Sequence, residues 1–149
     1  MSRRYRFEAA ATTTATPDTV WPLVGETARW REWAWMTRAE LVRPGTSDPE
    51  GVGALRRFGV GPGGSREKVV EWDPPRHLTY EAVAGLPVRL YRADVDLTDV
   101  AGGTEVRWRC QMEPVVPGTG PALAFVLRRM VSGFARRVCR YADRLPPST

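Results

Sequence analysis

The chain alternates between two kinds of hydrophobic spacing, and the change between them divides it. From Arg4 to Thr13, Tyr5, Phe7, Ala9 and Ala11 alternate with Arg6, Glu8, Ala10 and Thr12, the period-2 pattern of a strand with one buried face. Thr16-Pro17-Asp18 then predicts a helix start, with Thr16 as N-cap, Pro17 at the first helical position and Asp18 at the positive end of the dipole. Val20, Trp21, Leu23 and Val24 follow at helical spacing, Gly25 closes the run, and Thr27 to Trp33 reads as a second short helix. From Arg38 onward the period returns to 2. Strands are predicted over Arg38–Arg43, Gly53–Val60, Arg66–Trp72, His77–Ala84, Val88–Thr98 and Thr104–Glu113, separated by Gly- and Pro-rich turn segments. The last segment, Pro121 to Leu145, changes again. Leu123, Leu127, Met130, Val131, Phe134, Val138, Tyr141 and Leu145 share one face, with Arg129, Ser132, Arg136, Arg140 and Asp143 opposite. That is one amphipathic helix about 36 Å long.

This order predicts an α+β domain in which a curved antiparallel sheet wraps around the long C-terminal helix, with two short helices after the first strand. The apolar face of the sheet must be covered, and the last helix is the element long and apolar enough to do it. Space left between a curved sheet and a single helix is where small apolar molecules bind. All 149 residues fit one domain, with residues 146–149 expected as a disordered tail.

Alternation sorts the strand residues into faces. Tyr91, Ala93, Val95 and Leu97 oppose Arg92, Asp94 and Asp96; Val106, Trp108, Cys110 and Met112 oppose Glu105, Arg107, Arg109 and Gln111. Leu78, Tyr80 and Ala82 form a third inward set. If Ala54, Phe58 and Val60 face inward, Arg56 does so too. The next strand leaves two registers open: Glu67, Val69 and Glu71 inward, or Lys68, Val70 and Trp72. The first sets Glu71 beside Arg56 as a polar hook in an apolar cavity. The expected ligand contacts are therefore Arg56, Phe58, Glu71, Tyr80, Tyr91, Val95, Trp108, Met112, Met130 and Phe134. His77 begins a strand after a turn and is expected at the surface.

Composition narrows the classes. A net charge of +5 raises nucleic acid as a partner, but the basic residues are scattered and, Lys68 apart, are all arginine, the mark of a GC-rich bacterial genome rather than of phosphate contacts. No nucleic-acid partner is expected. Cys110 and Cys139 lie apart from each other and from the single His77, so neither a metal site nor a cofactor is expected, and the thiols should be reduced. No stretch approaches the ~20 apolar residues of a membrane span, and Tyr5-Arg6-Phe7-Glu8 stands where a signal peptide would be apolar. A cytoplasmic protein, monomeric or homodimeric, is expected.

The motifs Ala15-Thr16-Pro17-Asp18-Thr19-Val20-Trp21, Glu26-Thr27-Ala28-Arg29-Trp30, Gly51-Val52-Gly53, Glu71-Trp72-Asp73-Pro74-Pro75 and Gly102-Gly103-Thr104-Glu105-Val106-Arg107-Trp108 occur in this order. In them the chain resembles the START/Bet v 1-like (SRPBCC) superfamily and, within it, the polyketide cyclase/dehydrase family. The resemblance implies a helix-grip fold and a cavity for a hydrophobic or aromatic, lipid- or polyketide-like molecule. It also implies an alternative, a cyclase/dehydrase using general acid–base catalysis in the same cavity, with a pocket arginine and hydroxyl groups polarising carbonyls. Here Glu71 stands where that arginine is expected, and no catalytic residue is assigned. A third reading is a protein-binding module, with Trp33, Trp35 and Met36 as an exposed apolar patch.

Overall fold

The computed structural model describes residues 3–60 and 62–146. Seven strands form one antiparallel sheet: β1 (Tyr5–Thr13), β2 (Arg38–Arg43), β3 (Leu55–Gly59), β4 (Ser65–Asp73), β5 (His77–Ala84), β6 (Val88–Val100) and β7 (Gly103–Pro114). The order across the sheet is β1-β7-β6-β5-β4-β3-β2. After β1 come α1 (Pro17–Gly25), a 3-10 turn (Thr27–Arg29) and the one-turn α2 (Trp30–Trp33); α3 (Gly120–Arg144) closes the chain. The curved sheet with its long C-terminal helix is the predicted helix-grip architecture. Residues 147–149 of the expected tail lie outside the described residues.

The predicted faces are realised in β6 and β7, where Tyr91, Ala93, Val95 and Leu97 are buried beside Val106, Trp108, Cys110 and Met112. α3 lays Leu127, Val131, Phe134, Ala135 and Val138 on them. It packs chiefly against β1, and next against β7. Its C-terminal end is pinned there: Asp143 Oδ1 accepts hydrogen bonds from Thr13 Oγ1 (2.6 Å), the Thr14 amide (2.9 Å) and Thr14 Oγ1 (3.2 Å). Tyr141 Oη donates to Glu32 Oε1 at 2.6 Å and ties the helix to α2.

Two local expectations change. Thr16 precedes α1, and its carbonyl accepts the Thr19 and Val20 amides, but its hydroxyl makes no cap and meets Thr19 Oγ1 instead. Gly25 ends α1 without a left-handed backbone. Its role is room, since a Cβ there would stand 3.1 Å from the Trp72 ring and 3.3 Å from that of Trp21.

Candidate functional site

Because α3 covers β1 and β7, the inner face of β3–β5 is covered by different residues. Trp30 and Trp35 from the α2 region and Met130 and Phe134 from mid-α3 close over it and leave a cavity of about 290 Å³. Phe58, Tyr80 and Leu86 form much of the sheet side. The aromatic walls brace one another. The Trp30 ring lies 4.7 Å from Phe58 and 5.3 Å from Phe134, and Trp35 stacks on Phe134 at 6.4 Å. Trp30 and Trp33 are anchored by indole N–H bonds to the carbonyls of Val24 (3.0 Å) and Leu23 (2.9 Å). Gly64 and Gly85 shape the rim. Both have positive φ, and a Cβ on Gly85 would lie 2.2 Å from the Gly64 carbonyl oxygen, so this close crossing needs glycine.

One charged side chain, Glu67, reaches the cavity wall. It stands opposite Arg56 in the β3–β4 ladder, with both side chains turned inward. Glu67 Oε1 lies 3.6 Å from Arg56 Nη2, an ion pair too long to be a hydrogen bond. Burial pushes the Glu67 carboxyl up to about 7, against the opposing pull of the Arg56 cation. Arg56 is 0% exposed and sits behind the wall, its guanidinium 5.0 Å from the Phe58 and Tyr80 rings and 5.6 Å from Trp30. Arg56 Nη1 makes a long 3.5 Å contact with the Val24 carbonyl, while Nε and Nη2 have no hydrogen-bond partner. The ring faces therefore supply part of the electrostatic compensation this buried cation requires. Tyr80 Oη accepts the indole proton of Trp108 at 3.0 Å. Burial holds the phenol well above its usual range, so it remains a neutral donor.

Of the residues expected to touch a ligand, Phe58, Tyr80, Met130 and Phe134 line this cavity. Arg56 does not; Glu67 stands at the wall and Arg56 backs it. Tyr91, Val95, Trp108 and Met112 are buried in the core instead, since α3 packs over the β1 and β7 side. Glu71 is on the opposite face. An irregularity in the β4–β5 ladder between Val69 and Glu71 shifts the alternation, so Glu67 and Val69 face in, then Trp72 does, packing at 5.0 Å on Trp21. Neither of the two open registers holds along the whole strand. The patch of Trp33, Trp35 and Met36 is also not as expected: Trp33 and Met36 are buried, and Trp35 alone stays 50% exposed, at the cavity mouth.

On the convex face Glu71 joins a polar network. His77 Nδ1 pairs with Asp96 Oδ1 at 2.7 Å and Nε2 with Glu71 Oε1 at 2.9 Å, so this imidazole is held on both sides rather than free at the surface. Arg92 Nη2 reaches Glu71 Oε2 at 2.6 Å, Arg109 Nη2 reaches Asp96 Oδ2 at 2.8 Å, and the buried Thr79 hydroxyl donates to Asp94. Partial burial pulls the His77 pKa down, but its bonds to Asp96 and Glu71 outweigh that and leave it raised. Glu71, His77 and Asp94 bring ligand-type atoms within 4.8 Å of one another. All three are already engaged by neighbours, and the cluster ties β4, β5 and β6 together.

Cys110 and Cys139 are buried and unbridged, and burial pushes both thiols up to about 12, which disfavours the thiolate. Among the described residues no helix is long and apolar enough to cross a membrane.

The family model described as "Polyketide cyclase / dehydrase and lipid transport" matches residues 4–143. The chain belongs to this family. By fold the chain is similar to solved structures of the Bet v 1-like kind. Norcoclaurine synthase from Thalictrum flavum superposes with a TM-score of 0.75 at 11% identity, covering 97% of this chain and 89% of that one. Ara h 8.0201 gives 0.73 at 12%, covering 94% and 98%. The di-domain ARO/CYC BexL from the BE-7585A biosynthetic pathway gives 0.74 at 17%, covering 97% of this chain and 51% of that one. At these identities the likeness is one of fold. No curated protein matches the chain in sequence.

Proposed function

We propose that this chain binds a small, flat hydrophobic molecule bearing at least one hydrogen-bonding oxygen, in the cavity between β3–β5 and the middle of α3. The observation that carries the reading is the cavity itself: about 290 Å³, walled by Trp30, Phe58, Tyr80, Met130 and Phe134, with Glu67 as its one charged lining group. Such a lining takes apolar surface from water at roughly 25 cal/mol per Å², and a few placed polar groups fix orientation. The volume lies at the small end for ligand sites, which favours one or two fused rings over a long acyl chain. Membership of a family described as cyclase, dehydrase and lipid transport supports the same use of the space.

Titration with the neutral, environment-sensitive dye N-phenyl-1-naphthylamine tests it. Wild-type protein should bind the dye saturably with a blue-shifted emission. Met130→Trp fills the cavity from a half-buried position and should abolish the signal while keeping the circular dichroism spectrum and unfolding midpoint. Equal binding by both proteins would place the dye elsewhere.

A further inference from the structure

The positive charge of the chain is gathered on one helix. Of 22 basic and 17 acidic residues, six arginines and one aspartate lie on α3, so sixteen of each sign remain elsewhere and cancel. Scattered along the sequence, the basic residues are sorted by the fold. Arg4, Arg29, Arg92, Arg107 and Arg109 each meet a carboxylate at 3.1 Å or closer. Arg128, Arg129, Arg136, Arg137, Arg140 and Arg144 are exposed and meet none among the described residues. Their side-chain partners there are Ser132 Oγ for Arg136 (3.0 Å) and the rings of Phe125 and Tyr141 for Arg129 and Arg144. Arg136, Arg140 and Arg144 stand at i, i+4 spacing, where like charges destabilise a helix. Gly133 weakens it further, and a Cβ there would meet nothing within 4 Å, so no packing requires glycine. It opens a hollow beside Trp33, bordered by Arg136, Arg137, Arg140 and Arg144. Asp143 also borders the hollow, but its Oδ1 is taken by Thr13 and Thr14. Towards the start of the helix Phe125 and Val126 are 62% and 59% exposed. Folding gains from none of these features.

We propose that the exposed face of α3 docks the protein on a surface of anionic phospholipid, its arginines on the phosphates and Phe125 and Val126 at the acyl boundary. Guanidinium forks pair with phosphate oxygens two at a time, and the hollow at Gly133 gives one headgroup room among four of them. From Phe125 to Arg144 the face runs about 28 Å, long enough to lie along a membrane plane and meet several headgroups. Anionic leaflets attract such basic stretches, and large apolar side chains beside them add interfacial insertion. Nucleic acid fits this face less well. A duplex reads a helix that enters its groove, whereas α3 is laid along β1 and β7. Single strands need several stacking platforms, and of the aromatic side chains on α3 Phe125 alone is exposed. The face is separate from the cavity, to which α3 gives Met130 and Phe134, so docking does not depend on what the cavity holds.

Flotation of the full chain with lipid vesicles tests it, at an ionic strength of about 0.15 M. Wild-type protein should float with vesicles of phosphatidylglycerol and phosphatidylcholine in equal parts and stay behind with phosphatidylcholine alone. Its affinity should fall as salt is raised. Arg136→Gln/Arg140→Gln/Arg144→Gln should weaken binding on the order of 100-fold, at about 5-fold for each arginine. Relief of the like charges should leave its thermal midpoint unchanged or raised. Should the triple variant fail to fold, Arg140→Gln alone should show the loss of about 5-fold. Phe125→Ala should cost roughly 10-fold by removing the inserted ring. The control Arg43→Gln/Arg66→Gln/Arg89→Gln removes the same charge from exposed positions on the sheet and should bind within a few-fold of wild type. Equal losses in the two triple variants would show that overall charge, not this face, draws the protein to lipid, and would overturn the proposal. Failure of the wild type to float with the anionic vesicles overturns it outright. Tighter binding to a single-stranded or duplex oligonucleotide, or to polyglutamate, than to the vesicles at the same salt gives the face to another partner and overturns it too.

Discussion

The indole N–H of Trp108 donates to the hydroxyl oxygen of Tyr80 at 3.0 Å, joining β7 to β5 across β6 inside the core. Both side chains are almost completely buried. This bond sets which way the phenol proton can point, and it satisfies a donor that water cannot reach. Tyr80→Phe strands that donor, and the expected cost is about 1–3 kcal/mol. In urea unfolding, Trp108→Phe should cost less in the Tyr80→Phe background than in wild type, because the bond is lost only once. Additive losses would mean the contact contributes nothing.

Arg56 and Glu67 are cross-strand partners whose charges are both withdrawn from water. Removing one partner leaves the other uncompensated. Arg56→Met should destabilise the protein by roughly 3–5 kcal/mol at pH 8, where Glu67 is ionised. The double variant Arg56→Met/Glu67→Met should recover most of that loss, since an apolar pair of similar volume restores packing without the desolvation penalty. Chemical denaturation of the three proteins at one pH decides it. A double variant no more stable than Arg56→Met would show that the pair is held by more than mutual compensation.

The faces of β6, β7 and α3 were legible because long elements repeat one period many times, and Arg56 was legible as inward from its place between Ala54 and Phe58. The short β4 was not. Its irregularity at Val70 puts Glu71 outward although Glu67 and Val69 face in, and a ladder shift of one residue leaves no mark in a nine-residue pattern. The position of the cavity was hidden for a different reason. Alternation identifies which residues face inward, but not which strands the closing helix covers. Because α3 lies on β1 and β7, Tyr91, Val95, Trp108 and Met112 became core, and the open space fell beside Trp30 and Trp35. Those tryptophans belong to the irregular stretch after α1, where no periodic signal assigns a face.

Asp143 gathers three hydrogen bonds from Thr13 and Thr14, and these hold its carboxyl below the usual carboxylate range. A depressed folded-state pKa contributes stability that is present above the unfolded value and is lost as pH falls through the folded one. The group is exposed, so the effect should be modest. Asp143→Ala is expected to cost about 1 kcal/mol at pH 7. The difference in thermal midpoint between variant and wild type should shrink on acidification below pH 4. A difference that stays constant to pH 2 would assign the cost to lost packing.

Glu67 reverses that sign. Its folded-state pKa is raised to about 7 from 4.5, so between those values the folded protein holds a proton that the unfolded chain has released. Stability should be greatest at the acid end of this window, fall as pH climbs through it, and level off above about 8. The shift corresponds to a loss on the order of 3 kcal/mol. His77 acts in the same direction, because its raised pKa contributes stability that is complete below 6.5 and lost as pH rises through the folded value. Substitution separates the two. His77→Gln should keep the decline between pH 5 and 7, whereas Glu67→Gln should lose it and keep only the decline above pH 6.5 due to His77. Urea unfolding at pH 5, 6, 7 and 8 measures all three proteins. Wild-type stability that is flat across this range would mean the cavity solvates the Glu67 carboxylate as well as water does.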